Sequence, residues 1–155
     1  MQVRTVAPND VPSLMRFILE LAEYEREPDA VKTTAEQLHA ALFTAHPHVF
    51  GHVAEVDSEV VGMALWFLNY STWEGTHGVY LEDLYVTPAA RGLGCGRALI
   101  AELARICTAR GYARLELSVL DWNSPAIAFY RKLGAIGMDE WTVQRITGSA
   151  LHSLG

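Results

Sequence analysis

The sequence predicts one domain of mixed class, α+β or α/β, in which helices pack on a mixed β-sheet. Two observations carry that expectation. Period-2 and period-3.6 apolar patterns succeed one another in the order β-α-α-β-β-β-α-β-α-β. Across the 155 residues there is no shift in composition, no repeat and no low-complexity tract, so residues 1–155 form a single domain without linkers.

The elements follow in order. VRTVA near the start is a short strand. Asn9 or Asp10 caps a helix with Pro12 in its first turn, and Val11, Leu14, Met15, Ile18, Leu21 and Ala22 give it one buried face. Thr34 and Gln37 have the spacing of a capping box and open a second helix through Leu42. His52 to Val56 and Val60 to Leu68 are strands joined by a turn at Asp57, Ser58 and Glu59. A third strand spans Val79 to Val86. Gly96 to Arg110 is helical, with Ala98, Leu99, Leu103 and Ile106 on one face and Gly111 at its end. Arg114 to Val119 alternates as a strand. Ser124 caps a helix with Pro125 at its first position and Gly134 as its stop, and Trp141 to Ile146 is the last strand.

Composition excludes several classes. Half the residues are apolar and 19% are charged, which is globular rather than disordered. A formal charge of −6 disfavours nucleic acid and suits a cationic partner. No apolar run reaches the length of a membrane span, and the opening MQVRTVAPND lacks a basic region followed by an apolar core, so neither a membrane partner nor a secretory signal is expected. Cys95 and Cys107 on one helix would lie roughly 18 Å apart, too far for a disulfide. Reduced thiols and the missing signal together predict a cytoplasmic protein. His46, His48 and His52 straddle a proline and a strand start with no cysteine or carboxylate cluster, so no metal site is expected.

The segment that carries chemistry runs from Val86 through Arg91-Gly92-Leu93-Gly94-Cys95-Gly96-Arg97 to Leu99. A strand end, a glycine loop and a helix start expose successive N–H groups and partial positive charge, which suits a pyrophosphate. Arg91 and Arg97 add charge-assisted hydrogen bonds. The spacing is neither G-x-G-x-x-G nor G-x-x-x-x-G-K-[ST], which argues against a dinucleotide fold and a P-loop NTPase. Cys95 is a passive thiol, with no histidine near it in sequence.

Arg91-Gly-Leu-Gly-Cys-Gly resembles the R/Q-x-x-G-x-G/A acyl-CoA signature of the GNAT superfamily of N-acetyltransferases. Downstream, Asn123-Ser-Pro-Ala-Ile-Ala-Phe129-Tyr130-Arg-Lys-Leu-Gly134-Ala135 is similar to the N-x-x-A-x-x-F-Y-x-x-x-G-[AF] segment of the same family. The match covers about residues 79 to 135. It implies a mostly antiparallel sheet flanked by helices, and acetyl-CoA as co-substrate. The cofactor would be held by Leu84, Val86 and Arg91 to Arg97 (Arg91, Gly92, Leu93, Gly94, Cys95, Gly96, Arg97), with Asn123, Phe129 and Tyr130.

Leu21-Ala-Glu-Tyr24-Glu25, Tyr80-Leu81-Glu82-Asp83, Trp122-Asn123-x-Pro125 and Trp141 resemble the diamine (spermidine/spermine) and thialysine branch. That resemblance implies Glu82 as acceptor of the amine proton and Tyr130 as donor to the departing thiolate. Tyr24, Glu25, Trp73, Glu82, Asp83 and Trp141 would line the site of a small-molecule amine, in a homodimer. The branch has an Asp where this chain has Ser71, two residues before Trp73, which argues against long polyamines.

The chemistry is coherent on its own terms. Acetyl-CoA is already activated, so a neutral amine attacks it directly once a base has taken the ammonium proton. The leaving thiolate gains from a phenol O–H, and the thioester oxygen from fixed N–H donors on a splayed strand at Leu84 to Val86. Neighbouring Glu82 and Asp83 should point to opposite faces of their strand unless a bulge re-aims them. The rival readings are acetylation of another amine, such as an amino acid or a protein lysine or N-terminus, and a non-catalytic acyl-CoA sensor.

Overall fold

Alternating apolar residues build the sheet. In the computed structural model, which describes residues 1–155, strands β1 (Gln2–Thr5), β2 (Phe50–Val56), β3 (Glu59–Ser71) and β4 (Thr76–Val86) form an antiparallel meander. β5 (Leu115–Leu117) joins β4 in parallel, which requires a crossover, and helix α3 (Cys95–Arg110) supplies it. The turn between β2 and β3 places Asp57 and Ser58 at φ 49° and 66°, so Glu59 already belongs to β3.

Helices α1 (Val11–Tyr24) and α2 (Ala35–Leu42) meet one face of the sheet. Leu14 and Phe17 of α1, fully buried, pack with Leu38, Leu42, Val53, Met63, Leu65 and Tyr85. Alternation turns His52, Ala64 and Trp66 to the other face, where α3 lies with Leu99, Leu103 and Ile106 buried. The capping box of α2 forms as expected: Gln37 N donates to Thr34 Oγ1 (3.2 Å) and Thr34 N to Gln37 Oε1 (3.0 Å). Asp10 precedes α1 but turns its carboxylate back to Ala7 N–H (2.7 Å) and the Arg4 guanidinium (2.7 and 3.0 Å). The stronger charged donor wins over the helix amides.

These elements belong to a unit spanning Met1–Leu120; Asp121–Gly155 forms a second. In the second, α4 (Ser124–Lys132) is capped by Asn123, whose Oδ1 accepts from Ala126 N at 3.3 Å. Ser124, the expected cap, is the first helical residue. Gly134 follows at φ 96°. Trp141 to Ile146, expected as the last strand, is irregular, and a helix, α5 (Gly148–Leu154), follows it. The segment joins no strand of the sheet, and Trp141, Val143 and Ile146 stay exposed. No helix is long and apolar enough to cross a membrane.

Candidate active site

β4 is a different strand on either side of Glu82. Up to Leu81 it pairs with β3 on one edge and β5 on the other, ending at Leu81↔Leu117. The β3 register then slips: Trp66 faces Leu81 but Leu65 faces Asp83, so Glu82 is an extra residue, a β-bulge. A bulge bends its strand, and β5 stops after three residues instead of running to Val119 as expected.

The unpaired edge has a definite polarity. Thr87 N donates to Val61 O (2.9 Å), so Thr87 is turned towards β3. Antiparallel alternation turns Tyr85 and Asp83 the same way. Leu84 and Val86 therefore aim their N–H and C=O groups at the edge that β5 has left. The Val86 carbonyl accepts from Arg91 Nε (3.1 Å). These are the two residues from which fixed donors were expected.

The bulge also decides the fate of the two carboxylates. Glu82 is exposed and Asp83 half-buried on the α1 side, in line with Leu65 and Tyr85. Burial first, then the charges of Glu82 and Glu25, push the Asp83 pKa up to about 6. Burial also raises that of Glu25, which follows the last turn of α1. Three acids thus share one region, and no cation contributes to the Asp83 shift.

Pro88–Ala90 forms a turn after β4, and the glycine loop leads into α3. Gly92 and Gly94 have φ of 83° and 86°, which a side chain strains, and a Cβ on either would meet nothing within 4 Å. The loop surface is open. Gly94 caps α3 without any side-chain bond, and the first helical bond runs from Ala98 N to Gly94 O (2.9 Å). The amides of Cys95, Gly96 and Arg97 precede it and have no helical partner. Leu93 and Arg97 are exposed, whereas Cys95 is buried and unlinked to Cys107.

One cluster here was not anticipated. Tyr85 O–H donates to Glu20 Oε2 (2.7 Å), and the Arg91 guanidinium lies 5.9 Å from the ring centres of both Tyr85 and Tyr24. The end of α1 thereby touches the arginine of the loop. The i, i+4 spacing of Glu20 and Tyr24 was the available signal.

Trp73 stands apart. It occupies the β3–β4 hairpin tip, fully exposed at 87%. Ser71 pairs with Thr76, six residues before Glu82, which is about 20 Å along a strand. Within one chain Trp73 and Ser71 are therefore not beside the carboxylates. Ser71 Oγ accepts from Glu74 N (3.1 Å) and serves the turn. Asn123, Phe129, Tyr130 and Trp141 belong to the second unit. There Asn123 caps α4, and Phe129 and Tyr130 meet edge to face at 5.2 Å.

The model of the acetyltransferase (GNAT) family matches residues 14–135. The chain belongs to that family. This acetyltransferase is 39% identical to a thialysine N-epsilon-acetyltransferase of Bos taurus, over 98% of this chain and 95% of the relative. It is 33% identical to a spermidine/spermine N(1)-acetyltransferase-like protein 1 of Homo sapiens, over 88% of this chain and 21% of that one. Among solved structures, an integron cassette protein from the mobile metagenome of V. cholerae superposes with a TM-score of 0.81 at 26% identity, covering 99% and 96% of the two chains. The expected branch, the mixed and mostly antiparallel sheet, and an N-acetyltransferase activity are all borne out.

Proposed function

We propose that this N-acetyltransferase, a single catalytic domain over residues 1–155, moves acetyl from acetyl-CoA to a terminal primary amine of a small cationic molecule, a short diamine or a thialysine-like amino acid. The observation that carries this is the bulge at Glu82. It places carboxylates next to an open strand edge that leads directly into an amide-rich glycine loop. The family match spans both units, which supports one catalytic domain.

In this reading the pyrophosphate lies on the amides of the Arg91 to Gly96 loop, of which Arg91 N and Leu93 N also make long turn bonds to Pro88 O (3.3 Å) and Ala90 O (3.4 Å), with Arg97 as a counter-charge. The acyl arm follows the Leu84–Val86 edge, where a main-chain N–H meets the thioester oxygen as it gains charge. The same reading puts Asn123 and Phe129 with Tyr130 at the cofactor. Glu82 takes the amine proton, directly or through water, the free amine attacks the carbonyl carbon, and the C–S bond breaks. Tyr130 O–H donates its proton to the leaving sulfur. Asp83 and Glu25 hold the charge of the amine, with Tyr24 as a wall. Trp73 and Trp141 line the amine in a homodimer. Thr76, the partner of Ser71 at the hairpin tip, is about 20 Å along β4 from Glu82, which favours a Trp73 contact supplied by a second copy of the chain. The free thiols fit a reducing, cytoplasmic setting.

Ser71 offers no charge to a distant second ammonium, and one charge-assisted contact is worth about 1.5–3 kcal/mol, roughly ten- to a hundredfold in affinity. A turnover screen with acetyl-CoA should therefore rank thialysine and a short diamine above spermine and above lysine peptides in kcat/KM. Spermine or a peptide as the best substrate overturns this assignment.

A further inference from the structure

A cavity of about 360 Å³ opens at the C-terminal half of α3, and it contains no residue of β4 or of the glycine loop. Its size is that of a small-molecule site. The inner wall is aromatic: Phe50 and Trp66 stack with ring centres 4.6 Å apart. Trp66 Nε1–H donates to His52 Nδ1 (3.1 Å), which leaves the proton of neutral His52 on Nε2. Burial lowers the His52 pKa, so the ring is neutral at pH 7. His52 Nε2 lies 3.9 Å from Glu102 Oε1, beyond hydrogen-bond range. No buried side-chain nitrogen or oxygen lacks a partner, so this N–H opens to solvent, on a residue that lines the cavity.

The lining also carries two arginines, Arg105 and Arg110. Arg105 forks onto Glu102, which neutralises that pair. Arg110 takes part in no ion pair. On a chain of net charge −6, a lining that combines a guanidinium outside any ion pair, an N–H donor and two stacked aromatic rings suits an anion with an apolar body. A phosphate ester would need more donors than these two. A single carboxylate fits them.

Trp66 links this cavity to the transfer site. Its register partner is Leu81, the last residue before the bulge that aims Glu82 and Asp83. We propose that the cavity is an effector site for a small organic carboxylate with a flat apolar body, whose contact with Trp66 alters how the bulged strand holds the amine. The effector role rests on the acetyltransferase reading above; the binding does not.

The probe is phenylacetate, with 2-phenylethanol as its uncharged counterpart, followed by the Trp66 indole N–H resonance in two-dimensional NMR of the full chain. Phenylacetate should shift that resonance saturably. 2-Phenylethanol should bind about tenfold more weakly, and Arg110→Gln should weaken phenylacetate by about tenfold. Arg110 is exposed, so the variant keeps its fold and its basal turnover. No shift of the Trp66 resonance, or equal binding of the two probes, overturns the site. Saturating phenylacetate should change the amine KM by about fivefold. An unchanged KM with the site filled overturns the effector role and leaves the binding intact.

Discussion

Asp10 is buried and Asp83 half-buried in the same unit, and their surroundings are opposite. The Arg4 guanidinium and the Ala7 amide hold the Asp10 carboxyl below the usual carboxylate range. Asp83 has no such partner; burial and two neighbouring acids push it up to about 6. An acid paired within the fold cannot be removed without stranding its partners. An acid left among acids destabilises it and is useful only when a cation arrives. In the function proposed above, the difference separates a structural carboxylate from one kept for a ligand, and each consequence can be tested.

Tyr130→Phe and Glu82→Gln bear on the ligand side of the contrast and should have the largest effects. Each should lower turnover by on the order of 10²-fold at pH 7, with little change of acetyl-CoA affinity in calorimetry. Raising the pH should partly rescue Glu82→Gln, because more amine is then already neutral, and should not rescue Tyr130→Phe. A wild-type pH profile for Glu82→Gln would remove Glu82 from the proton path.

Asp10→Ala addresses the structural side. It strands the Ala7 amide and one side of Arg4, and should cost about 3 kcal/mol in denaturant unfolding. Turnover per folded molecule should not change. The folded pKa of Asp10 is lowered, so its contribution is present above the unfolded value of 3.8 and is lost as pH falls below that. An unfolding free energy that is insensitive to the substitution would erase the contrast.

Much of this was legible in the residues. The apolar faces of α1 and α3, the Thr34 box, Gly111 and the glycine loop are local signals, and local physics made them. The role of a bulge could be stated only as a condition, because a slip of register is a property of two strands. His52 shows the same limit from another direction. As a sequence neighbour of His46 and His48 it looked incidental, yet pairing with β3 sets it against Trp66. Asn123 displaced Ser124 as cap by a single residue, within the usual blur of helix ends. The strand expected at Trp141 to Ile146 failed because alternation supplies a face and not a ladder partner.

Asp83→Asn is the smaller and sharper test. It removes a charge that the fold disfavours. The folded pKa is raised, so the penalty grows as pH rises from 3.8 to about 6 and is complete above that. The variant should therefore melt on the order of a few degrees higher than wild type at pH 7.5, with little difference at pH 4. It should also lose about tenfold in kcat/KM for a short diamine. A lower melting temperature at pH 7.5 would place Asp83 with Asp10, as a structural acid.

The central claim is that Asp83 stands among acids until a cationic amine binds. The ¹³Cγ shift of Asp83, followed by NMR against pH with and without saturating 1,3-diaminopropane, tests it directly. The free enzyme should titrate near 6. With the diamine bound, an ammonium close by should pull the midpoint down by about one to three units. A midpoint near 4 in the free enzyme, or one near 6 that the diamine leaves unmoved, would contradict it.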